Sequence, residues 1–172
     1  AYEQLLKNAG AFNPKARITG VSVQSMAGKD EKGHEVILGA RLDRDFGPVI
    51  LFGLGGIVTE VIKDRALALP PLNRLLARRL MESTKVYQLL KGHRNQPPVD
   101  LVILEEMLVR LSQLMSDFSE IREMDINPLW VSQSHVYALD ARILLEKNPV
   151  KAPMHMVISP YPDEFEDHTV CK

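Results

Sequence analysis

Apolar and polar positions alternate with period two through Ile57–Asp64, Met124–Leu129 and Val136–Ile143, and Ile18–Met26, Glu35–Asp43 and the apolar Val49–Phe52 read as strands beside them. Alternation of this kind predicts strands that turn one face inward. The turn residues Asp45–Phe46–Gly47–Pro48 leave no room for a crossover, so neighbouring strands are expected to run antiparallel, as a meander. Helical spacing appears elsewhere. Leu101, Leu104, Leu108, Leu111 and Met115 form one apolar stripe behind Asp100, a good capping residue, with Met107 and Met115 as gap-filling core residues. Pro70–Pro71 breaks the chain, Asn73 caps a helix running to about Met81, and a further turn or two through Leu89–Leu90 ends at Gly92. Tyr2–Asn8 reads as helix, with Gly10 as its stop. The class expected is α+β: a mostly antiparallel sheet with helices packed on it.

The polar residues of the last two alternating runs carry the most chemistry. In a strand, Asp125 and Asn127 point to one face and Met124 and Ile126 to the other. A hairpin turning at Gln133–Ser134 would oppose Asn127 to Asp140 and Asp125 to Arg142. Opposed side chains lie about 4.5–5.5 Å apart at Cβ, close enough for an amide oxygen and a carboxylate to share one hard cation. Mg²⁺ suits such a pair, since it takes one or two carboxylates and completes its shell with water and phosphate oxygens. Two plainer readings stand beside this one. Asp-x-Asn-Pro can open a turn through local side-chain hydrogen bonds, and Asp125 with Arg142 can be a cross-strand ion pair.

Other residues change the picture less. Gly53–Leu54–Gly55–Gly56 follows an apolar strand but lacks both the phosphate-loop and the dinucleotide patterns; its glycines offer positive φ and close backbone approach, or simply a tight turn between strands, with Glu60 just beyond. Gln24 and Glu35 would meet at the base of the loop Ala27–His34, as partners for a ribose or a base edge or as two solvated strand ends. Arg74, Arg78 and Arg79 read as a solvated helix face, and Lys91, His93 and Arg94 as a basic cluster suited to a helix C-terminus. The five histidines are scattered, and no nucleophile–histidine arrangement follows from spacing.

With 172 residues the chain is one domain or one large lobe, and a formal charge of −1 gives no footprint for nucleic acid or an anionic membrane. The lone Cys171 excludes an internal disulfide framework, and no apolar run suggests a span or a signal peptide, so a soluble, cytoplasmic protein is expected. The opening inside a helix without a cap suggests an excised piece. Pro149, Pro153, Pro160 and Pro162 with Asp163–Asp167 read as a connector, giving a domain over 1–148 and a Pro-rich, acidic connector over 149–172.

Taken in order, Val21–Met26, Glu35–Asp43 with Phe46–Gly47–Pro48, Phe52–Ile57 with its glycines, Leu89–Gly92, Glu123–Pro128 and Leu139–Arg142 closely resemble the ATP-grasp part of ADP-forming acyl-CoA synthetases, relatives of the succinyl-CoA synthetase β subunit, over about residues 1–148. The resemblance implies the C-terminal lobe of an ATP-grasp domain, the other lobe and its nucleotide-contacting lysine lying upstream. It implies Asn127 and Asp140 as Mg²⁺ ligands and Asp125 as the acid near a phosphohistidine, a position held by glutamate in succinyl-CoA synthetases. Gln24 matches the adenine-contacting hinge residue, usually glutamate, and Glu35 a further nucleotide contact. Gly55, Gly56 and Glu60 match the glycine turn and acid at the edge of the phosphate site, with Glu60 and Asp125 as the catalytic carboxylates; Arg142 stands where some relatives have lysine. The implied reaction joins a carboxylic acid to CoA with conversion of ATP to ADP and phosphate, through an acyl phosphate and a phosphohistidine carried by another domain. Its implied partners are the missing lobe and the CoA-binding and phosphohistidine domains, in an oligomer, and the isolated fragment would be inactive. A second resemblance comes from Val157–Ile158–Ser159–Pro160–Tyr161–Pro162 and the acidic stretch behind it, similar to the connector into a GNAT domain in bacterial protein lysine acetyltransferases, where this lobe would be regulatory. A third reading is a purely structural assembly lobe.

Overall fold

The computed structural model describes residues 1–23, 26, 32–56, 63–94 and 96–158. Its elements are α1 (Tyr2–Phe12), β1 (Gly33–Asp43), β2 (Gly47–Leu54), β3 (Arg65–Ala68), α2 (Arg74–Glu82), α3 (Val86–Leu90), α4 (Leu101–Asp117), β4 (Ile121–Ser132), β5 (Val136–Ala138) and β6 (Ala141–Leu145). The strands form one antiparallel sheet in the order β3-β2-β1-β4, and β5 and β6 follow one another along the outer edge of β4.

The β1–β2 hairpin closes where Asp43 Oδ1 accepts the backbone N–H groups of Asp45 and Phe46, at 3.0 and 3.2 Å. One face of the sheet is apolar. Val36, Leu38 and Ala40 of β1, Ile50 and Phe52 of β2, and Leu129 and Val131 of β4 are buried there, against α2, α3 and α4. The stripe on α4 does what its spacing predicts: Leu104 and Leu108 are fully buried, Leu111 and Met115 nearly so. Each such side chain contributes about 1.5–3 kcal/mol by leaving water. Asn73 and Asp100 cap α2 and α4 as expected, accepting the N–H of Leu76 in one case and of Val102 and Ile103 in the other.

Several expectations need correction. Gly10 lies inside α1, which runs on to Phe12 and stops at Asn13. An interior glycine costs only about 1 kcal/mol. Pro14 is the stronger stop, because it forces the residue before it out of helical geometry, and Asn13 is extended at φ −140°. The strand expected over Ile18–Met26 is not formed by its described part, 18–23 and Met26, and Val23 is 95% exposed. Alternation specifies a face but supplies no partner, and both edges of β1 are already taken by β2 and β4. The run Ile57–Asp64 falls mostly outside the described residues; the strand that pairs with β2 lies later, at Arg65–Ala68. Arg78 is no mere solvated residue either: its Nε donates to Glu105 Oε1 at 2.6 Å across the α2–α4 contact, and this bond to a carboxylate that is 2% exposed raises the guanidinium pKa further.

Two anchors hold the parts together. Asp64 is buried, and its two carboxylate oxygens accept the N–H groups of Lys85 and Val86 at 2.8 and 2.7 Å, capping α3, while its carbonyl accepts Leu54 N–H at the end of β2. Asp64→Ala strands two N–H groups and should lower stability by about 1–3 kcal/mol in denaturant melts; a loss under about 0.5 kcal/mol would show that water replaces the carboxylate at no cost. Beyond residue 148 the chain does not simply lead away. Met156 is buried, His155 Nε2 donates to the Met115 carbonyl at 2.8 Å, and Gly47 at φ +64° leaves just enough room for the His155 carbonyl.

Candidate functional site

The hairpin of β4 with β5 and β6 has the register that a turn at Gln133–Ser134 requires. Trp130 faces Tyr137, Leu129 faces Ala138, and Asp125 faces Arg142. Between β5 and β6, Asn127 N–H donates to the Asp140 carbonyl at 3.1 Å and Leu139 N–H to the Pro128 carbonyl at 3.0 Å, so Asn127 and Asp140 stand opposite one another.

The other edge of β4 departs from simple alternation. Val36 faces Leu129 and Leu38 faces Ile126, so Asn127 and Pro128 together stand opposite Ile37 as a bulge. Proline has no N–H for a ladder and is tolerated in a paired strand at such a step. The bulge brings the Asn127 side chain to the end of β2, where its Oδ1 accepts the N–H of Gly56 at 3.2 Å, a residue seventy-one positions away. The local turn reading of Asp-x-Asn-Pro is therefore not met at Asn127.

Glu35, at the start of β1, completes the group. Its carbonyl accepts Gly55 N–H at 2.9 Å, and its carboxylate lies against Gly56. Neither glycine can be replaced without movement. A Cβ on Gly56, which sits at φ +74°, would collide with the Glu35 carboxylate, and one on Gly55 would meet the Val36 backbone at 2.5 Å. Glu35, Gly55, Gly56, Asn127 and Asp140 thus converge at one end of the sheet from four separate stretches of chain. Gln24 and Glu60 lie outside the described residues.

The sheet face away from the helices is open, and over it lies a cavity of about 730 Å³. Ile37, Gly39 and Leu51 form its floor, Arg41 and Arg65 stand on it, and Asp125 borders it. Burial pushes the Asp125 carboxyl above the ordinary aspartate value; the charges of Glu123 and Asp140 push the same way and Arg142 opposes them. Asp125 and Arg142, though directly opposed, are not joined by a salt bridge, so the ion-pair reading is not met. The excess of carboxylate beside Asp140 is the electrostatic setting that a cation relieves.

The donors suit a hard ion. Asn127 Oδ1 has a second lone pair beyond the one given to Gly56, and the Asp140 carboxylate is exposed. Among the described residues no group of three or more histidines, cysteines or carboxylates is placed to hold a metal. An ion held by Asn127 and Asp140 would draw its remaining ligands from water and a phosphate chain, the habit of Mg²⁺. Sequence reasoning missed the contribution of β1 and β3 to this face. Its signal was present in the odd positions Ile37, Gly39 and Arg41, which share a side with Glu35.

Comparison with known proteins shows the family and its fold. Residues 1–145 match the sequence model of the ATP-grasp domain. Acetate–CoA ligase (ADP-forming) I of Archaeoglobus fulgidus is 39% identical over 145 residues, covering 84% of this chain and 21% of that protein. The beta subunit of acetate–CoA ligase (ADP-forming) I of Pyrococcus furiosus is 34% identical over 145 residues, covering 84% of this chain and 61% of that subunit. Among solved structures, dinucleotide-forming acetyl-coenzyme A synthetase 1 of Ca. Korarchaeum cryptofilum, in complex with coenzyme A and Ca-AMPCP, superposes with a TM-score of 0.73 at 34% identity, covering 84% of this chain and 62% of that one. Another structure of that protein holds coenzyme A and Mg-AMPPCP, with its phosphohistidine segment pointing towards the nucleotide binding site; there the TM-score is 0.64 at 36% identity, over 67% of this chain and 54% of that one. This chain therefore spans 21% of the first relative and 61% of the second. It belongs to the ATP-grasp family, and its relatives within that family are ADP-forming acyl-CoA synthetases.

Proposed function

We propose that this chain is the nucleotide- and Mg²⁺-binding lobe of an ADP-forming acyl-CoA synthetase, an acid–thiol ligase that joins a carboxylic acid to CoA while converting ATP to ADP and phosphate. The observation that carries the proposal is the convergence of Glu35, Gly55, Gly56, Asn127 and Asp140 at the end of an open sheet face with a cavity of about 730 Å³. Glu35 and the glycine turn would fix the nucleotide's position, Gln24 and Glu60 contributing from the same segments of sequence. Asn127 and Asp140 would hold Mg²⁺, which when bound offsets charge on the β- and γ-phosphates. Asp125, beside them on the cavity wall, would orient the group that receives the phosphoryl, a histidine brought by another domain, and Arg142 opposite it would steady the charge. Holding reactants in line is the main contribution a protein makes to phosphoryl transfer.

On this reading the partners are a second ATP-grasp lobe and the CoA-binding and phosphohistidine domains, on the same chain or on other subunits of an oligomer in the cytoplasm. Neither nucleic acid nor membrane has a role, and no described helix is long and apolar enough to cross a bilayer. The test is acyl-CoA formation from ATP, CoA and acetate or a longer acid by the full-length protein. Turnover with release of ADP supports the proposal, and release of AMP or no turnover with any acid contradicts it. The 172-residue piece alone should give no tight isotherm with MgATP in calorimetry. The acetyltransferase reading rests on Val157–Pro162, most of which lies outside the described residues, and the relatives named above do not support it.

A further inference from the structure

We propose that Gly39 is a clearance position: the side chain absent from the middle of β1 leaves the space in which a phosphoryl group comes up to Asp125. The inference rests on the nucleotide-site reading above and adds a residue to it.

Gly39 lies at the centre of the sheet, paired with Leu51 of β2 on one side and Asp125 of β4 on the other. Glycine is a poor choice there. Within a strand it is less stable than alanine, and it gives up the packing that β-branched residues supply. The fold does not ask for it. A Cβ on Gly39 would meet the Met124 carbonyl at 3.6 Å and Leu51 Cβ and Cδ2 at 3.7 and 3.8 Å, which is ordinary contact, and its φ is not in the left-handed region. Gly33, Gly53 and Gly55 differ: a Cβ on each would run into Trp130, the Asp64 carbonyl or the Val36 backbone.

What a side chain at 39 would take away is depth in the cavity. Along β1, Ile37 and Arg41 flank Gly39 on the same face and line the cavity with it, so the glycine is a gap between two side chains, and Asp125 is its partner on β4. A group seated in that gap has Arg41 and Arg65 within the same cavity and the acids Glu123 and Asp125 at its side. Guanidinium groups are strong donors to phosphate oxygens, so Arg41 and Arg65 suit a phosphoryl group. Strand glycines recur where a ligand approaches the backbone closely. The phosphoryl group can arrive on ATP or on a histidine, and the experiment separates the two.

Gly39→Ala and Gly39→Val are made in the full-length protein and followed by thermal melting, MgATP calorimetry, transfer of the γ-phosphoryl to protein histidine, and turnover. Both variants should melt at or above the wild-type temperature. Gly39→Val should lose roughly tenfold or more in turnover, and Gly39→Ala less, in order of added volume. If MgATP affinity falls in step, the gap receives the nucleotide's phosphoryl group. If MgATP affinity holds while histidine phosphorylation falls, it receives the phosphohistidine. Folded Gly39→Val with wild-type affinity and turnover would overturn the inference, as would Gly39→Ala melting well below wild type. Wild-type protein that neither binds MgATP nor turns over would overturn the nucleotide-site reading itself, and this inference with it.

Discussion

Asp140→Ala in the full-length protein should lose more than about 100-fold in MgATP affinity and in acyl-CoA formation, with its melting temperature unchanged. Residues in the outer shell of a metal site already change affinity by about 10–100-fold, so a direct ligand is expected to exceed that. The fold should not notice. The Asp140 side chain is exposed, and the bond it gives the sheet is its backbone carbonyl to Asn127 N–H, which alanine keeps. Loss of the carboxylate also removes one of the charges that raise the Asp125 pKa, so no uncompensated group is created. Calorimetry at fixed Mg²⁺, beside the turnover assay, checks both halves. Affinity and turnover within about threefold of wild type would remove Asp140 from the site, since that is under 1 kcal/mol.

Leu108→Ala makes the opposite pattern, a large stability loss at a distance from the cavity. Leu108 is fully buried between the sheet and the helices, in the same cluster as Leu38 and Phe52. Truncation removes transfer free energy and leaves a cavity that a close-packed core only partly closes, so the cost should be about 2–5 kcal/mol in denaturant melts. Leu89→Ala, at a residue 40% exposed, is the control and should stay within about 0.5 kcal/mol. A Leu108 loss no larger than the control's would mean that the α4 stripe does not face the sheet.

The hairpin was legible from the sequence because a short turn and a period of two leave no freedom: once Gln133–Ser134 is the tip, Asn127 must face Asp140. Capped helices were legible for a similar reason, since Asn73 and Asp100 act within one turn of themselves. What the sequence hid is non-local. That the Glu35 carboxylate lies on Gly56 follows from β1 pairing with both β2 and β4 and gathering their ends; Gln24, its expected neighbour, lies outside the described residues. The hydrogen bond from Gly56 to Asn127 depends on a one-residue step in β4 that no alternation announces. The burial of Glu105 against Arg78 was hidden too, since the spacing along α2 does not reveal which helix will lie against it.

The step at Asn127–Pro128 makes the two edges of β4 count differently. Past this step the pairing towards β5 and β6 keeps one register, from Val131 back to Glu123, and shifts only next to Ile121, while towards β1 it skips a residue at Asn127–Pro128 itself. Composition along β4 can therefore drift, because apolar residues of similar volume substitute for one another at modest cost. Length cannot. One residue added or removed between Ile121 and Asn127 would send Met124 and Ile126 to the open face and Glu123 and Asp125 into the core, because a strand repeats every two residues. Across homologous chains, this segment should tolerate exchange of side chains and admit almost no insertions or deletions, whereas the hairpin tip at Gln133–Ser134 should vary freely in length.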